Sequence, residues 1–388
     1  MKSVNRMPTS NEAESIASKY IRDYYSKHPI SVANIASREF GFGDFEKKIK
    51  VRHLSFASDK ELNRYLADNA PPFVSCSSAL YERPAAQPME AKGRKGAELV
   101  FDLDATDMRL ACQKEHGASW VCENCLSAVK AETVKLIEDF LVPDFGFSAD
   151  EISVNFSGNR GYHVHVNSEE VFQLDGNARK QISDYITGTG MRIESFFPTI
   201  GQRGMRLEGP KPTDFGWGGK LAKGIIAALN KGTDALTVLG ISAIEARFLE
   251  KNKAAVILGI TTGNWDKVRI TKKAEFWANV VKGMTIKQSD SIDRNVTNDP
   301  SHMLRVPETL HGDTMLVAKR IGSVKELEKF EPMRDSIAFQ GGTMLVHATK
   351  APTLTMDGKV FGPYENKDVA LPTYAALYLL MKRAAVPA

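Results

Sequence analysis

The sequence predicts an α/β protein whose core is built from both ends of the chain and interrupted by a mostly helical insertion. Three observations carry this. Strand-length apolar runs alternate with amphipathic helical segments over residues 1–175. From 176 to 282 most segments read as helical. Strand patterns then return over 283–388. A chain of 388 residues can bury a sizeable core and hold two structural units.

Each element follows from local pattern. Ile16, Tyr20 and Tyr24 stand at helical spacing in NEAESIASKYIRDYYSKH, and Pro29 follows. KKIKVRHLSF alternates like a strand. SDKELNRYLADN opens with a capping-box pattern, Ser58 to Glu61, and stops before Pro71 and Pro72. PPFVSCSSALYE reads as a strand, and RPAAQPMEAKGRKGAE as a loop. LSAVKAETVKLIEDFLVPDF predicts a helix ending before Pro143. EISVNFSGNRGYHVHVN predicts a hairpin with Ile152, Val154 and Phe156 on one face and the turn at 157–161. The insertion's helices are GGKLAKGIIAALN, ALTVLGISAIEARFLEKN and KKAEFWANVVKG. HMLRVPETLHGDTMLVA and GGTMLVHATKAP carry the returning strands, and YAALYLLMKRAA is the last helix.

Composition excludes several classes. A 43% hydrophobic and 25% charged chain is neither disordered nor fibrous. No apolar run approaches the roughly 20 residues that span a bilayer. MKSVNRMPTSNEAES has no apolar signal core, so the expected location is cytoplasmic, with no membrane partner. A net charge of +4 is compatible with a nucleic-acid partner without specifying one.

The stretch ELVFDLDATD places Asp102, Asp104 and Asp107 after an apolar strand. Alternation puts Asp102 and Asp104 on one face, where like charges repel. A hard divalent cation with oxygen ligands relieves that repulsion. A lone D-x-D is more often a solvated strand end, so the pattern needs support from elsewhere. VFDLDAT also resembles the first motif of haloacid-dehalogenase-type phosphatases. That motif expects an apolar residue after Thr106, where Asp107 stands, and a later second acid that HGDTMLVAKR lacks.

Cysteine usage is more specific. Cys112, His116, Cys122 and Cys125 follow a C-x3-H-x5-C-x2-C spacing within 108–127. Four such ligands suit a closed, tetrahedral and therefore structural zinc site. A disulfide or a redox C-x-x-C are the rivals, and the latter explains neither Cys112 nor His116. Cys76 sits apart and reads as a buried strand residue.

Two polar clusters remain. SGNRGYHVH brings Ser157, Asn159, Arg160, His163 and His165 to one hairpin. Its glycines let backbone amides approach an anion, and Arg160 offers a planar fork for phosphate oxygens. SIDRNVTNDPSHMLRVPETLHGDT holds Asp293, Asp299, Arg305 and His311. Each of these alone is ordinary surface decoration.

Together the clusters resemble the small, catalytic subunit of archaeal and eukaryotic DNA primases. FDLDATD, SGNRGYH, DRNVT and RVPETLHG stand in that family's order, with the cysteine segment between the first two. The resemblance runs from about residue 75 to 320 and is nearer the archaeal version. It departs at Asp313, where relatives more often carry a base, and at Asn159, where some carry a second Arg.

The resemblance implies the α/β archaeo-eukaryotic primase core, mixed sheets with flanking helices, with a zinc-binding module and a mostly helical insertion. It implies that Asp102, Asp104 and Asp293 bind catalytic Mg2+ or Mn2+, and that Ser157, Arg160, His163, Arg305 and His311 hold the triphosphate. Cys112, His116, Cys122 and Cys125 would bind Zn2+. The implied activity is template-directed synthesis of short RNA primers. The implied partners are single-stranded DNA, nucleoside triphosphates and a large subunit carrying an iron–sulfur cluster. A repair primase-polymerase, a phosphatase and a non-catalytic zinc nucleic-acid module are the alternatives.

Overall fold

The computed structural model describes residues 10–200, 206–239, 241–267 and 292–388. It divides into two compact units. The first comprises Met1–Val134, Ser148–Lys180 and Ile292–Ala388; the second comprises Lys135–Phe147 and Gln181–Ser291.

Two four-stranded antiparallel sheets dominate the first unit. One runs in the order Met303–Arg305, Phe73–Ser77, Phe40–Gly43, Val51–Leu54. The other runs Arg320–Ile321, Ile152–Phe156, Gly161–Val166, Leu99–Asp104. Each has an edge strand supplied by the last third of the chain. The short segment from Met303 to Ile321 therefore passes from one sheet to the other and carries Arg305 and His311 with it.

Helices cover the first sheet. Ile21, Tyr24 and Tyr25 of the helix Ser10–Lys27 pack with Leu62 and Leu66 of the helix Asp59–Asn69, and with Phe40, Phe42 and Val74 beneath. The expected capping box forms only in half: the Ser58 side chain accepts from Glu61 N, but Glu61 Oε2 accepts from Ala57 N at 2.9 Å, one residue before the N-cap, instead of from Ser58 N. A third sheet, Tyr364–Pro372, Thr343–Ala351 and Ala385–Pro387, accompanies the helix Thr373–Met381. That helix is apolar on nearly every side and is buried from Thr373 to Leu380.

The second unit is mainly helical, with Gly216–Lys231, Thr233–Val238, Ala243–Lys251 and Lys253–Thr262 around a core that includes Leu221, Ile225, Leu249, Ile260 and Trp265. It also holds the antiparallel strand pair Thr199–Ile200 and Arg206–Leu207. The predicted helix KKAEFWANVVKG lies outside the described residues, as does the expected boundary at 282.

Four local expectations change. RPAAQPMEAKGRKGAE contains the strand Arg94–Ala97, which pairs with Ala79–Tyr81 and so satisfies backbone groups a loop would leave to water. The helix expected to end before Pro143 is α-helical over Glu123–Lys135, then widens into a π turn over Leu136–Leu141. Its last part groups with the second unit. Cys76, expected to be buried, is partly exposed in the strand Phe73–Ser77.

Candidate active site

The acidic strand Leu99–Asp104 is anchored by Leu99, Phe101 and Leu103, all buried, which leaves Asp102 and Asp104 on the opposite face. Its partner strand Gly161–Val166 sets His163 directly across from Asp102 and Gly161 across from Asp104. Gly161 is needed for that approach: a Cβ there would lie 2.0 Å from the Leu103 carbonyl oxygen.

Asp293 comes from far along the chain. It caps the short helix Arg294–Asn298, accepting from Asn295 N at 2.9 Å, while its own amide donates to the Asp102 carbonyl at 3.0 Å. The docking is apolar, because Val296 and Leu304 close over Val100 on the acidic face. Three aspartates thus meet through one backbone hydrogen bond and one small hydrophobic cluster.

The charge they gather is only partly compensated, by Arg160 and Lys48. Burial, then the charges of Asp104, Asp293 and Asp107, push the Asp102 carboxyl up to about 7. Asp107, in the turn Ala105–Met108, is also raised by burial and by Asp104 and Asp293. Asp104 is held more firmly. One oxygen accepts from Thr106 N and Oγ1, both at 2.8 Å, and the other accepts from Arg160 Nη2 at 3.2 Å. Partly buried carboxylates carrying this excess charge fit a divalent cation with oxygen ligands.

The turn Ser157–Gly161 presents nitrogen donors beside the acids. Ser157 Oγ accepts from Gly161 N at 3.2 Å and Asn159 N at 3.4 Å. Gly158 takes φ +81°, and a Cβ there would come within 2.8 Å of His311 Cβ, so this glycine brings the turn against the third cluster. Thr314 Oγ1 locks the pair by donating to the Gly158 carbonyl at 2.6 Å.

The two buried histidines of this site are neutral. Burial, then His165 and Arg305, pull the His163 imidazole down to about 3. Its Nε2 stands 3.6 Å from Asp102 Oδ1, beyond hydrogen-bond range. Burial, then Arg305 and Lys48, lower His311 well below its usual value. His311 Nδ1 accepts from Asp313 N at 3.2 Å, which leaves Nε2–H as the outward donor. Burial brings Arg305 down to about 10, still charged at neutral pH, and its guanidinium lies 4.9 Å over the Phe73 ring. Arg160 Nε, Arg305 Nη1 and His163 Nδ1 are buried nitrogens with no hydrogen-bond partner. Nitrogens left this way suit a ligand rich in acceptors.

The sequence reading placed His165 on the face of His163. It is there, but its Nδ1 bonds Glu98 Oε2 at 2.8 Å instead of reaching the acids. Asp299 serves its own loop, accepting from Ser301 N and Oγ. The cysteine and histidine donors gather as expected. The ligand atoms of Cys112, His116, Cys122 and Cys125 all lie within 4.8 Å of one another. Cys112 Sγ and Cys122 Sγ are 3.5 and 3.7 Å from Cys125 Sγ, and His116 Nε2 is 3.6 Å from it. A tetrahedral zinc with Zn–S near 2.3 Å and Zn–N near 2.05 Å requires ligand separations of about 3.6–3.8 Å, so the donor set fits. His116 Nδ1 meets the Gly117 carbonyl at 2.8 Å, which leaves Nε2 free to ligate. Among the described residues this is the one group of three or more such side chains drawn together so tightly; the three aspartates are more open.

The family model described as DNA primase small subunit matches residues 101–323, a span that contains every residue discussed from Asp102 to His311. The DNA primase small subunit of Methanothrix thermoacetophila is 35% identical over 399 residues, covering 95% of this chain and 98% of that protein. The chain belongs to the DNA primase small-subunit family. Its relatives in Methanococcoides burtonii and Archaeoglobus fulgidus, also DNA primase small subunits, are 32% and 31% identical, each over 94% of this chain and 96% of their own length. Membership of the primase small-subunit family makes the chain a nucleotidyltransferase-type enzyme and leaves the phosphatase and non-catalytic readings without support. Among the described residues, no helix is long and apolar enough to cross a membrane.

Two side chains beside the candidate site of this primase family member escaped the sequence reading. Lys382 Nζ reaches Asn159 Oδ1 at 2.9 Å from beyond the last helix. Lys48, in the loop between Phe40–Gly43 and Val51–Leu54, is close enough for its charge to act on Asp102, His163 and His311. Neither lies in a recognisable motif. The available signal was only a basic residue beside an apolar helix and another in a lysine-rich loop.

Proposed function

We propose that the chain synthesises short RNA primers on a single-stranded DNA template, joining nucleotides at the acidic face. One observation carries the reading: two segments distant in sequence deliver Asp102, Asp104 and Asp293 to a single face that also bears Arg160 and His163. The three aspartates would hold Mg2+ or Mn2+. Such cations, when bound, stabilise the attacking and leaving oxygens of the phosphoryl transfer.

The chain's own groups supply position and charge. Ser157 shapes the turn whose amides face the β- and γ-phosphates of the incoming nucleotide. Arg160 binds phosphate with one edge and orients Asp104 with the other. Arg305 adds a fixed charge, while neutral His163 and His311 donate N–H bonds without demanding a counter-ion. Cys112, His116, Cys122 and Cys125 would hold a Zn2+ whose role is structural, since four protein ligands fill a tetrahedral site.

The partners proposed are nucleoside triphosphates, the DNA template and a large subunit with an iron–sulfur cluster. This chain has four cysteines in all, and three belong to the zinc set, so it does not supply four thiolates for a cluster itself. The mild net charge of +4 gives modest template affinity, which favours a partner for initiation.

The experiment is incorporation of labelled nucleotide on a poly-pyrimidine template. Each nucleotide type is supplied in turn, with each metal, with and without the large subunit. Template-dependent ribonucleotide incorporation is expected, with initiation stimulated more than extension by the partner. Absence of template-dependent incorporation in the complete complex would overturn the reading. Exclusive use of deoxynucleotides would point to a primase-polymerase instead.

A further inference from the structure

The residue after the last helix sits where no motif would place a functional group. Lys382 follows Thr373–Met381, and its ammonium donates to Asn159 Oδ1 at 2.9 Å and to the Ser119 carbonyl at 3.1 Å. It also lies 5.7 Å from the Tyr378 ring centroid, and Tyr378 packs edge-on against Trp120 at 5.8 Å. Asn159 is only 7% exposed, so this hydrogen bond is made largely out of water. Beside it, Arg160 Nη1 donates to the Ala118 carbonyl at 3.4 Å. The loop between His116 and Cys122 thus offers two successive carbonyls to the two cations that flank the phosphate turn.

We propose that Lys382 is a positioning residue of the nucleotide site, fixing the turn Ser157–Gly161 through Asn159 and tying it to the loop between His116 and Cys122. The proposal rests on the nucleotidyl-transfer reading above. Three elements meet at one ammonium: the buried last helix, the cysteine–histidine loop and the turn. A lysine can satisfy two carbonyl-type acceptors and still leave one N–H directed elsewhere. Holding Asn159 fixes the backbone amides at 159 and 160, and a turn that is ordered beforehand loses less entropy when phosphate arrives. Burial, then the neighbouring Arg160, draws the Lys382 pKa down to about 8, as expected for a cation inside the same positive pocket.

The test compares Lys382→Ala, Lys382→Arg, Asn159→Ala and the double variant Lys382→Ala/Asn159→Ala in the full chain with its large subunit. Readouts are nucleotide KM and kcat, Kd for a non-hydrolysable triphosphate by calorimetry, zinc content and thermal midpoint. Lys382→Ala and Asn159→Ala should each raise KM and Kd about five- to tenfold, the range of a single intramolecular hydrogen bond. The kcat should change far less. Because both variants break the Lys382–Asn159 bond, the double variant should be no worse than the more impaired single variant. Lys382→Arg should recover most of the affinity. Unchanged KM and Kd, strictly multiplicative effects in the double variant, or a loss confined to thermal midpoint would each overturn the proposal. Asp102→Asn is the control. Full turnover in that variant would remove the underlying reading, whereas an inactive Asp102→Asn beside a normal Lys382→Ala would remove this inference alone.

Discussion

Replacing Gly161 with alanine tests how closely the two strands of the site must approach. A Cβ at this position would sit 2.0 Å from the Leu103 carbonyl oxygen and 3.0 Å from Asp104 Cα. A carbon–oxygen contact settles at roughly 3.3 Å or more, so the strands must part by about 1.3 Å. Both obstacles are backbone, so no side-chain rotation relieves them. Gly161 is not among the positive-φ residues, which makes the penalty steric instead of conformational. Overpacking of this kind costs about 1–3 kcal/mol of stability. The larger effect falls on function, because the displaced strand carries His163 and the displaced partner carries Asp102 and Asp104. A misplacement near 1 Å can lower turnover about a hundredfold. Urea unfolding measures the first quantity, and ribonucleotide incorporation at saturating substrate measures the second. Gly161→Ala with wild-type stability and turnover would refute the close approach as described. A variant that loses stability but keeps its turnover would refute the claim that the approach positions the acids.

Three other outcomes follow from the same geometry. Asp102→Asn should abolish incorporation yet stabilise the metal-free chain above pH 7. A carboxyl raised from 3.8 to about 7 loses folded-state stability as pH climbs through that window, by a few kcal/mol at most, and asparagine does not. Thermal melts at pH 5 and pH 8 read this directly; an Asp102→Asn variant no more stable at pH 8 than wild type would contradict it. Cys122→Ser should release one zinc per chain by elemental analysis and lower the thermal midpoint, while Cys76→Ser keeps its zinc; full metal content in Cys122→Ser would remove the zinc assignment. Arg305→Ala and His311→Ala should chiefly raise nucleotide KM, since they remove contacts already present in the ground state. A fall in kcat at constant KM would move both residues to another role.

Much of the site was legible because strand alternation and motif spacing are local properties. Asp102 and Asp104 share a face by period two, as do His163 and His165, whereas the pairing that sets His163 across from Asp102 joins strands remote in sequence. The tetrahedral fit of Cys112, His116, Cys122 and Cys125 was likewise written in their spacing. What the sequence could not show depends on tertiary placement. Nothing near Asp293 says that Val296 and Leu304 will cover Val100 and so carry that aspartate onto the acidic strand. Residues 135–147 continue a helix whose pattern gives no sign that its end groups with another unit. Arg94–Ala97 lacks β-branched residues and becomes a strand only because Ala79–Tyr81 is there to pair with it. Lys382 acquires its partners from two elements that are remote in sequence.

The most direct test of the central claim is a manganese titration with a non-hydrolysable nucleoside triphosphate present, followed by electron paramagnetic resonance on the wild-type chain and on Asp293→Asn. If the three aspartates form one two-cation site, the wild type binds two manganese ions with the coupling expected of neighbours about 3.5–4 Å apart, and Asp293→Asn loses that coupling. Two coupled ions in Asp293→Asn, or uncoupled ions in the wild type, would contradict it.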